Sequence, residues 1–246
     1  MTTADDAPAK AMRHRVTSLF RRIKWSRVAA ELALIVAGVL VALGINNWYA
    51  RRQVHQAEIE MLRELRRALA TDLGSLRQAV TDAERRESHI KALQSHLMQH
   101  GPYADTLQSS FGAVIGILEL HLDRAPYEAL KARGLDLVSD DSLRTELIKL
   151  YDNVYADLEQ SESDDRNVTF EVVRPYFLKA FRNIRFRESA TPLNYAAVVD
   201  DPYFLNVVDY RLTSLRVNTL GPVRTAIASV ERLVAQIDRE LRAKGG

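Results

Sequence analysis

The chain has 246 residues, with 34 Lys and Arg against 32 Asp and Glu, six histidines and no cysteine. A net charge of +2 argues against bulk nucleic-acid binding, which shows as a strong basic excess. The missing cysteine excludes a disulfide framework, a thiolate zinc site and a cysteine nucleophile, and it fits either side of a membrane.

Residues 1–27 form a basic leader. Positions 1–12 are small and polar, the composition of a disordered terminus. MRHRVTSLFRRIKWSR then mixes basic and apolar residues at helical spacing. Such a segment lies on an anionic inner leaflet, where each Lys or Arg contributes about 1 kcal/mol.

Residues 28–48, VAAELALIVAGVLVALGINNW, predict a transmembrane helix. Its apolar run, 28–45, carries one charge, Glu31. At 1.5 Å per residue the run covers roughly 27 Å, close to the ~30 Å of bilayer hydrocarbon. Lipid offers no partner to a free N–H or C=O, so the run must be helical. Glu31 lies one turn inside the start, near enough to reach the headgroups. Trp25 and Arg27 before the run, and Asn46, Asn47 and Trp48 at its end, are the residues expected at the interface. Small residues at Ala29, Ala33 and Ala37, with Gly38 and Ala42, permit close helix approach and hence self-association through the span. Ala42-Leu43-Gly44 satisfies a small-x-small cleavage rule. The long leader and the polar residues that follow at once favour an uncleaved anchor.

Orientation follows the Lys/Arg bias. Residues 10–27 hold seven (Lys10, Arg13, Arg15, Arg21, Arg22, Lys24, Arg27), and the 18 residues after the span hold four (Arg51, Arg52, Arg63, Arg66). The amino end is therefore expected in the cytoplasm, with the rest of the chain across the cytoplasmic membrane. That leaves about 200 residues, enough for one domain with its own core.

Residues 49–101 predict a long juxtamembrane helix. Leu62, Leu65, Leu69, Leu73, Leu76, Val80, Ala83, Glu87, Ile90, Gln94 and Leu97 recur in steps of three and four, with one extra residue between Leu69 and Leu73. Gly101-Pro102 ends the pattern. A dimeric coiled coil and one helix of an intramolecular bundle both fit it, and later helices in the chain supply partners for a bundle.

Residues 102–246 are expected to form that bundle. Helices are read over 106–122 and from Pro126 to Gly134. The next opens at Asp140-Asp141 and runs to about Leu158. Residues 168–186 read as mostly helix, interrupted or kinked at Pro175, and 187–200 as loop. A helix opening at Asp201-Pro202 is kinked or split at Gly221-Pro222. The fold class is all-α: a transmembrane helix continuing into a long amphipathic helix, then an antiparallel helical bundle.

The end of the span carries a resemblance. Glu31 followed by LALIVAGVLVALGINNW resembles the opening of a family of uncharacterised bacterial single-pass membrane proteins, with a basic leader and a span ending Ile-Asn-Asn-Trp. APYEALKARGLDLVSDDSLRTELIKLYDNVY (125–155) and NYAAVVDDPYFLNVVDYRL (194–212) are similar to it as well. Gly44 departs from the polar residue more usual there, and the leader varies. The resemblance implies a domain of unknown function in the bacterial cell envelope and brings no activity with it.

Candidate chemistry is sparse. His96 and His100 have the i, i+4 spacing of zinc ligands and His89 lies seven before His96, but no HExxH accompanies them. Asp140-Asp141, Asp164-Asp165 and Asp200-Asp201 could bind cations; each precedes an apolar helical run, where carboxylates cap free N–H groups instead. Arg174, Lys179, Arg182 and Arg185 interleave with aromatics and form a possible anionic-ligand patch. No GxSxG, phosphate-cradling glycine loop or dinucleotide fingerprint occurs, so no catalytic residue, metal site or cofactor is assigned. The expected function is a non-enzymatic membrane-anchored interaction or sensory module. Its expected partners are lipid, an unknown protein and a second copy of the chain, met through the span or the juxtamembrane helix. The alternative is a periplasmic ligand-processing enzyme or hydrolase that assembles carboxylates or histidines by folding.

Overall fold

A computed structural model describes residues 25–245 of the chain, with side chains from residue 29 onward. The leader before Trp25, and the side chains of Trp25 and Arg27, lie outside the described residues. The chain is all-α apart from one short hairpin, and it divides into two compact units, Met1–Gln56 and Ala57–Gly246.

The first helix, α1, is Trp25–Met98. Its most apolar 18-residue window has a mean hydropathy of 2.1, and none of that window is buried. Leu32, Leu34, Ile35, Leu40, Val41 and Ile45 all stand exposed. By length and composition this stretch is compatible with a membrane anchor, and nothing among the described residues covers it. Glu31, Asn46, Asn47 and Trp48 are exposed along it, and Arg52 stacks over the Trp48 ring at 5.7 Å.

Within the second unit, residues 57–98 of α1 pack against the rest of the chain. The residues turned inward are Leu62, Leu65, Leu69, Asp72, Leu76, Ala79, Ala83, Arg86, Ile90, Leu93 and Leu97, all buried. They keep the three-four alternation of a heptad seam without a break. The expected seam took the apolar Leu73 for Asp72 and, one residue out of phase from there, half-buried Val80, Glu87 and Gln94 in place of Ala79, Arg86 and Leu93. Two charged residues hold core positions.

After α1 come α2 (Leu107–Val114), a crossing segment without regular structure that is buried at Ile115, Gly116 and Leu118, and α3 (Ala125–Arg133). The helix expected over 106–122 therefore stops early. α3 ends at Gly134, whose φ of +103° suits a residue without a Cβ. From there α4 (Asp141–Ile148), α5 (Tyr155–Val168) and α6 (Arg174–Ala180) run as one helix with two π-helical turns, Lys149–Val154 and Thr169–Val173. The chain reverses in a hairpin, β1 (Phe181–Arg185) and β2 (Ser189–Pro192), and makes the short α7 (Tyr195–Val199). Finally α8 (Pro202–Ser214) and α9 (Gly221–Ala243) form a continuous helix through a third π turn, Leu215–Leu220.

The hairpin and α7 occupy the stretch read as helix and loop. The chain stays helical through both prolines, at which the sequence predicts an interruption or a kink. Each follows a π turn, Thr169–Val173 before Pro175 and Leu215–Leu220 before Pro222. A proline lacks the N–H and presses its ring on the carbonyl four residues back; one extra residue per turn absorbs both.

Two hydrophobic cores fill the unit. One joins Leu62–Leu76 of α1 to Tyr127, Tyr151, Tyr155 and the inner face of α9. Tyr127 and Tyr151 stack at 4.4 Å. The other joins Ala83–Leu97 to Phe111, Phe177, Phe181 and Phe204. Along the outside, α1 and the final helix are laced by Arg66–Asp238, Arg77–Glu231, Glu84–Arg224 and Glu87–Arg216, all at 2.6 to 2.7 Å. Descending numbers on one side against ascending on the other make the pairing antiparallel. The amphipathic seam of α1 is thus covered by its own chain.

Candidate functional site

The buried crossing segment poses the main problem of this fold. Its N–H and C=O groups have no helix or sheet to satisfy them, and unpaired buried groups are costly. Side chains from three helices supply the bonds. Arg86 donates through Nε to the Ala113 carbonyl (3.4 Å) and through Nη2 to that of Gly116 (2.9 Å). Arg211 of α8 donates through Nε to the Val114 carbonyl at 3.1 Å and through Nη2 to that of Gly116. Asp165 of α5 accepts the Leu118 N–H (2.7 Å) and pairs with Arg211 Nη1 (2.7 Å). Further along, Asp72 accepts the Asp123 N–H and the Tyr155 hydroxyl, both at 2.8 Å.

Asp165 therefore does not cap a helix, as its pairing with Asp164 suggested. It sits in mid-helix, 7% exposed, opposite an Arg211 that is 1% exposed. The other two pairs do cap: Asp140 accepts from Leu143 N–H and Asp201 from Tyr203 N–H, both at 2.9 Å.

Charge in this cluster is unbalanced. Arg211 has Asp165; Arg86, 9% exposed, bonds only neutral carbonyls. Burial pushes the Arg86 guanidinium down to about 9, and the neighbouring Arg211 charge pushes the same way; Asp165 opposes them. Gly116 is required beside it, since a Cβ there would sit 2.9 Å from Arg86 Nε.

Arg86 also lines a cavity of about 410 Å³. α1 contributes Ala79, Ala83 and His89 to its walls, α2 contributes Ser109, and the crossing segment contributes Ile117. Thr219 enters from the third π turn, and the tip of the hairpin brings Arg187 and Glu188. Arg187 adopts φ +65° at that tip and pairs with Glu119 at 2.9 Å; Arg85 pairs with Asp82 at 3.3 Å. Gly112 lets the hairpin come this close, because a Cβ at that position would overlap the Ser189 backbone.

The residues singled out from sequence are dispersed. His89 faces Ser110 (3.5 Å), His96 bonds the Pro102 carbonyl (2.9 Å), and His100 meets Asp200 (3.4 Å). Among the described residues no three His, Asp or Glu side chains converge. Of the basic patch, Arg182 and Arg185 lie on β1 and share a shallow hollow. Arg174 stands on α6 over the Phe170 ring, and Lys179 lies near the end of that helix. Arg86 and Arg211 are absent from the sequence-based candidates and Asp165 stands there as a cap, although the strict heptad phase points to position 86.

Compared with family models, with curated proteins and with solved structures, the chain finds no match in any of the three.

Proposed function

We propose that the protein is a membrane-anchored interaction or sensory module rather than an enzyme, inserted once in the bacterial cytoplasmic membrane with its helical domain on the far side. The observation that carries this reading is that the chain joins an apolar helical stretch, uncovered among the described residues, to a folded unit holding its own two cores. The apolar stretch meets the length a bilayer asks of a helix. The basic excess before it, seven residues against four after, places the amino end in the cytoplasm. Within the domain, Glu58, Asp72 and Asp165 each accept a backbone N–H. These acids hold architecture together, and the cavity beside Arg86 is the place where a ligand can be sensed. Resemblance to the single-pass family with the Ile-Asn-Asn-Trp ending agrees with this placement.

The test uses the absence of native cysteine. Gln160→Cys puts one thiol at an exposed position of α5. A membrane-impermeant maleimide should label it in intact spheroplasts. Labelling only after lysis would overturn the orientation, and recovery of the chain in the soluble fraction would overturn the anchor.

A further inference from the structure

We propose that the cavity beside Arg86 binds a small organic monocarboxylate, with the carboxylate on Arg86 and a compact apolar body against Ala79, Ala83 and Ile117. The proposal rests on reading the domain as a binding module and names the ligand class of its cavity.

Three observations lead to it. First, Arg86 is a buried cation with no carboxylate of its own. Its Nε and Nη2 are spent on the Ala113 and Gly116 carbonyls, and Nη1 makes no hydrogen bond among the described residues. A guanidinium buried without a counter-charge is costly, and an anion brought to it is favoured over the same anion in water. Two fixed carbonyls also hold the guanidinium plane, so little side-chain entropy is lost when an anion docks. Arg211 lies in the same cluster and differs in this one respect, because Asp165 already answers it.

Second, the charges at the wall limit the ligand to one negative charge. Arg187 and Arg85 are matched by Glu119 and Asp82, and Glu188 adds an unmatched acid. Arg86 and Glu188 are the remainder. A second anionic group, or a phosphate carrying close to two charges, would meet the carboxylates of the wall, Asp82, Glu119 and Glu188. A planar carboxylate suits what is offered: guanidinium N–H groups in a fixed plane.

Third, the size and the rest of the wall suit a small molecule. A cavity of about 410 Å³ lies within the roughly 300–1,000 Å³ of ligand sites. Alanines and Ile117 make one side apolar, while Ser109 spends its hydroxyl on the Thr106 carbonyl.

The probe is 4-fluorobenzoate, followed by ¹⁹F line broadening against the full chain in nanodiscs, with empty nanodiscs as the reference for lipid partition. Saturable broadening is expected. 4-Fluorobenzamide, of the same shape without the charge, should bind at least about tenfold more weakly because it forfeits the charged hydrogen bond. 4-Fluorophthalate should do likewise because its second carboxylate meets the acids of the wall. Propionate should displace the probe and inorganic phosphate should not. Arg86→Met should abolish binding. Because that change also strips two carbonyls of their donor, Ser109→Trp supplies a second arm: it fills the cavity from α2 and leaves the arginine network whole, and it too should abolish binding. Arg187→Asn, which keeps a residue at ease with positive φ, should change affinity severalfold with the fold intact.

No saturable broadening, equal binding of the amide, displacement by phosphate, or binding undiminished in a folded Ser109→Trp protein would each overturn the proposal. Such a failure is distinct from failure of the anchored-module reading. The latter is read from the membrane fraction and maleimide labelling, neither of which depends on the cavity.

Discussion

Two buried polar sites lie two heptads apart on the same face of α1, and they differ in how completely they are closed. Asp72, fully buried among tyrosines, has each carboxylate oxygen engaged, one by the Asp123 N–H and one by the Tyr155 hydroxyl. Arg86, beside the phenylalanine-rich core, satisfies two carbonyls and still faces a cavity with part of its guanidinium free. Both tie the crossing segment between α2 and α3 to the bundle. A charged core residue whose valences are all used is explained by the backbone it serves. One with a free donor and open space beside it calls for something more. The comparison therefore separates architecture from a site without reference to any catalytic motif.

The sharpest way to break it is to remove the acid that answers Arg211, the one carboxylate in the arginine cluster. Asp165→Leu would leave Arg211 and Arg86 together without a carboxylate and the Leu118 N–H without an acceptor. A loss of about 3–5 kcal/mol is expected, as for other buried pairs deprived of one member. Asp72→Ala strands only a neutral N–H and a hydroxyl and should cost less, about 1–3 kcal/mol. Urea unfolding of the 57–246 unit, which contains both cores, measures both variants. Equal losses would dissolve the distinction between the sites. Next in size is Gly112→Ala, which forces α2 from the hairpin backbone; overpacking of this kind costs about 1–3 kcal/mol. It should also shift the ¹H–¹⁵N resonances of Arg187 and Glu188 at the cavity mouth, and unmoved resonances would mean the hairpin tip is not set by this contact.

Much of the fold was legible because it follows from patterning. The long apolar stretch, the α1 seam, and the caps at Asp140 and Asp201 are all stated by residue type and spacing. Part of what escaped came from reading a charged letter as a surface position. Taking Leu73 for Asp72 moved the phase by one, so that Glu87 stood in for Arg86, yet the charged residues keep the three-four phase unbroken from Leu62 to Leu97. The same habit made Asp165 a cap. Its true partner, Arg211, lies 46 residues away in sequence, a separation no local spacing rule can bridge. The π turns before Pro175 and Pro222 escaped for another reason: proline announces trouble for a helix, and how the turn accommodates it depends on packing. The hairpin over 181–192 is short, and its bulge between Arg182 and Arg185, with Asn183 at φ +52°, blurs the alternation that would mark a strand.

The smallest expected effect is the most discriminating, because it has a sign. At the start of the second unit Glu58 is also buried, but it has a cation: Lys244 lies 2.9 Å away, and the Ser139 N–H and hydroxyl donate at 2.7 and 2.8 Å. For Asp72 burial is the largest influence and raises its pKa above 3.8, only partly offset by its two hydrogen bonds. For Glu58 burial again acts upward, but the Ser139 and Lys244 contacts outweigh it, and the pKa falls below 4.5. The two acids should therefore bend the stability curve in opposite directions. Folded Asp72 holds its proton more tightly than the unfolded chain does. Its contribution is thus full below 3.8 and is lost as pH rises through the raised folded value. Folded Glu58 releases its proton more readily, so its contribution is full above 4.5 and is lost as pH falls through the lowered folded value. Urea midpoints of the 57–246 unit between pH 3 and pH 7 should accordingly show Asp72→Asn gaining on the parent as pH rises. Glu58→Gln should trail at neutral pH and converge with the parent in acid. If the Asp72→Asn difference stays flat across that range, the closed carboxylate does not carry the burial penalty that sets it apart from Glu58, and its hydrogen bonds alone would account for it.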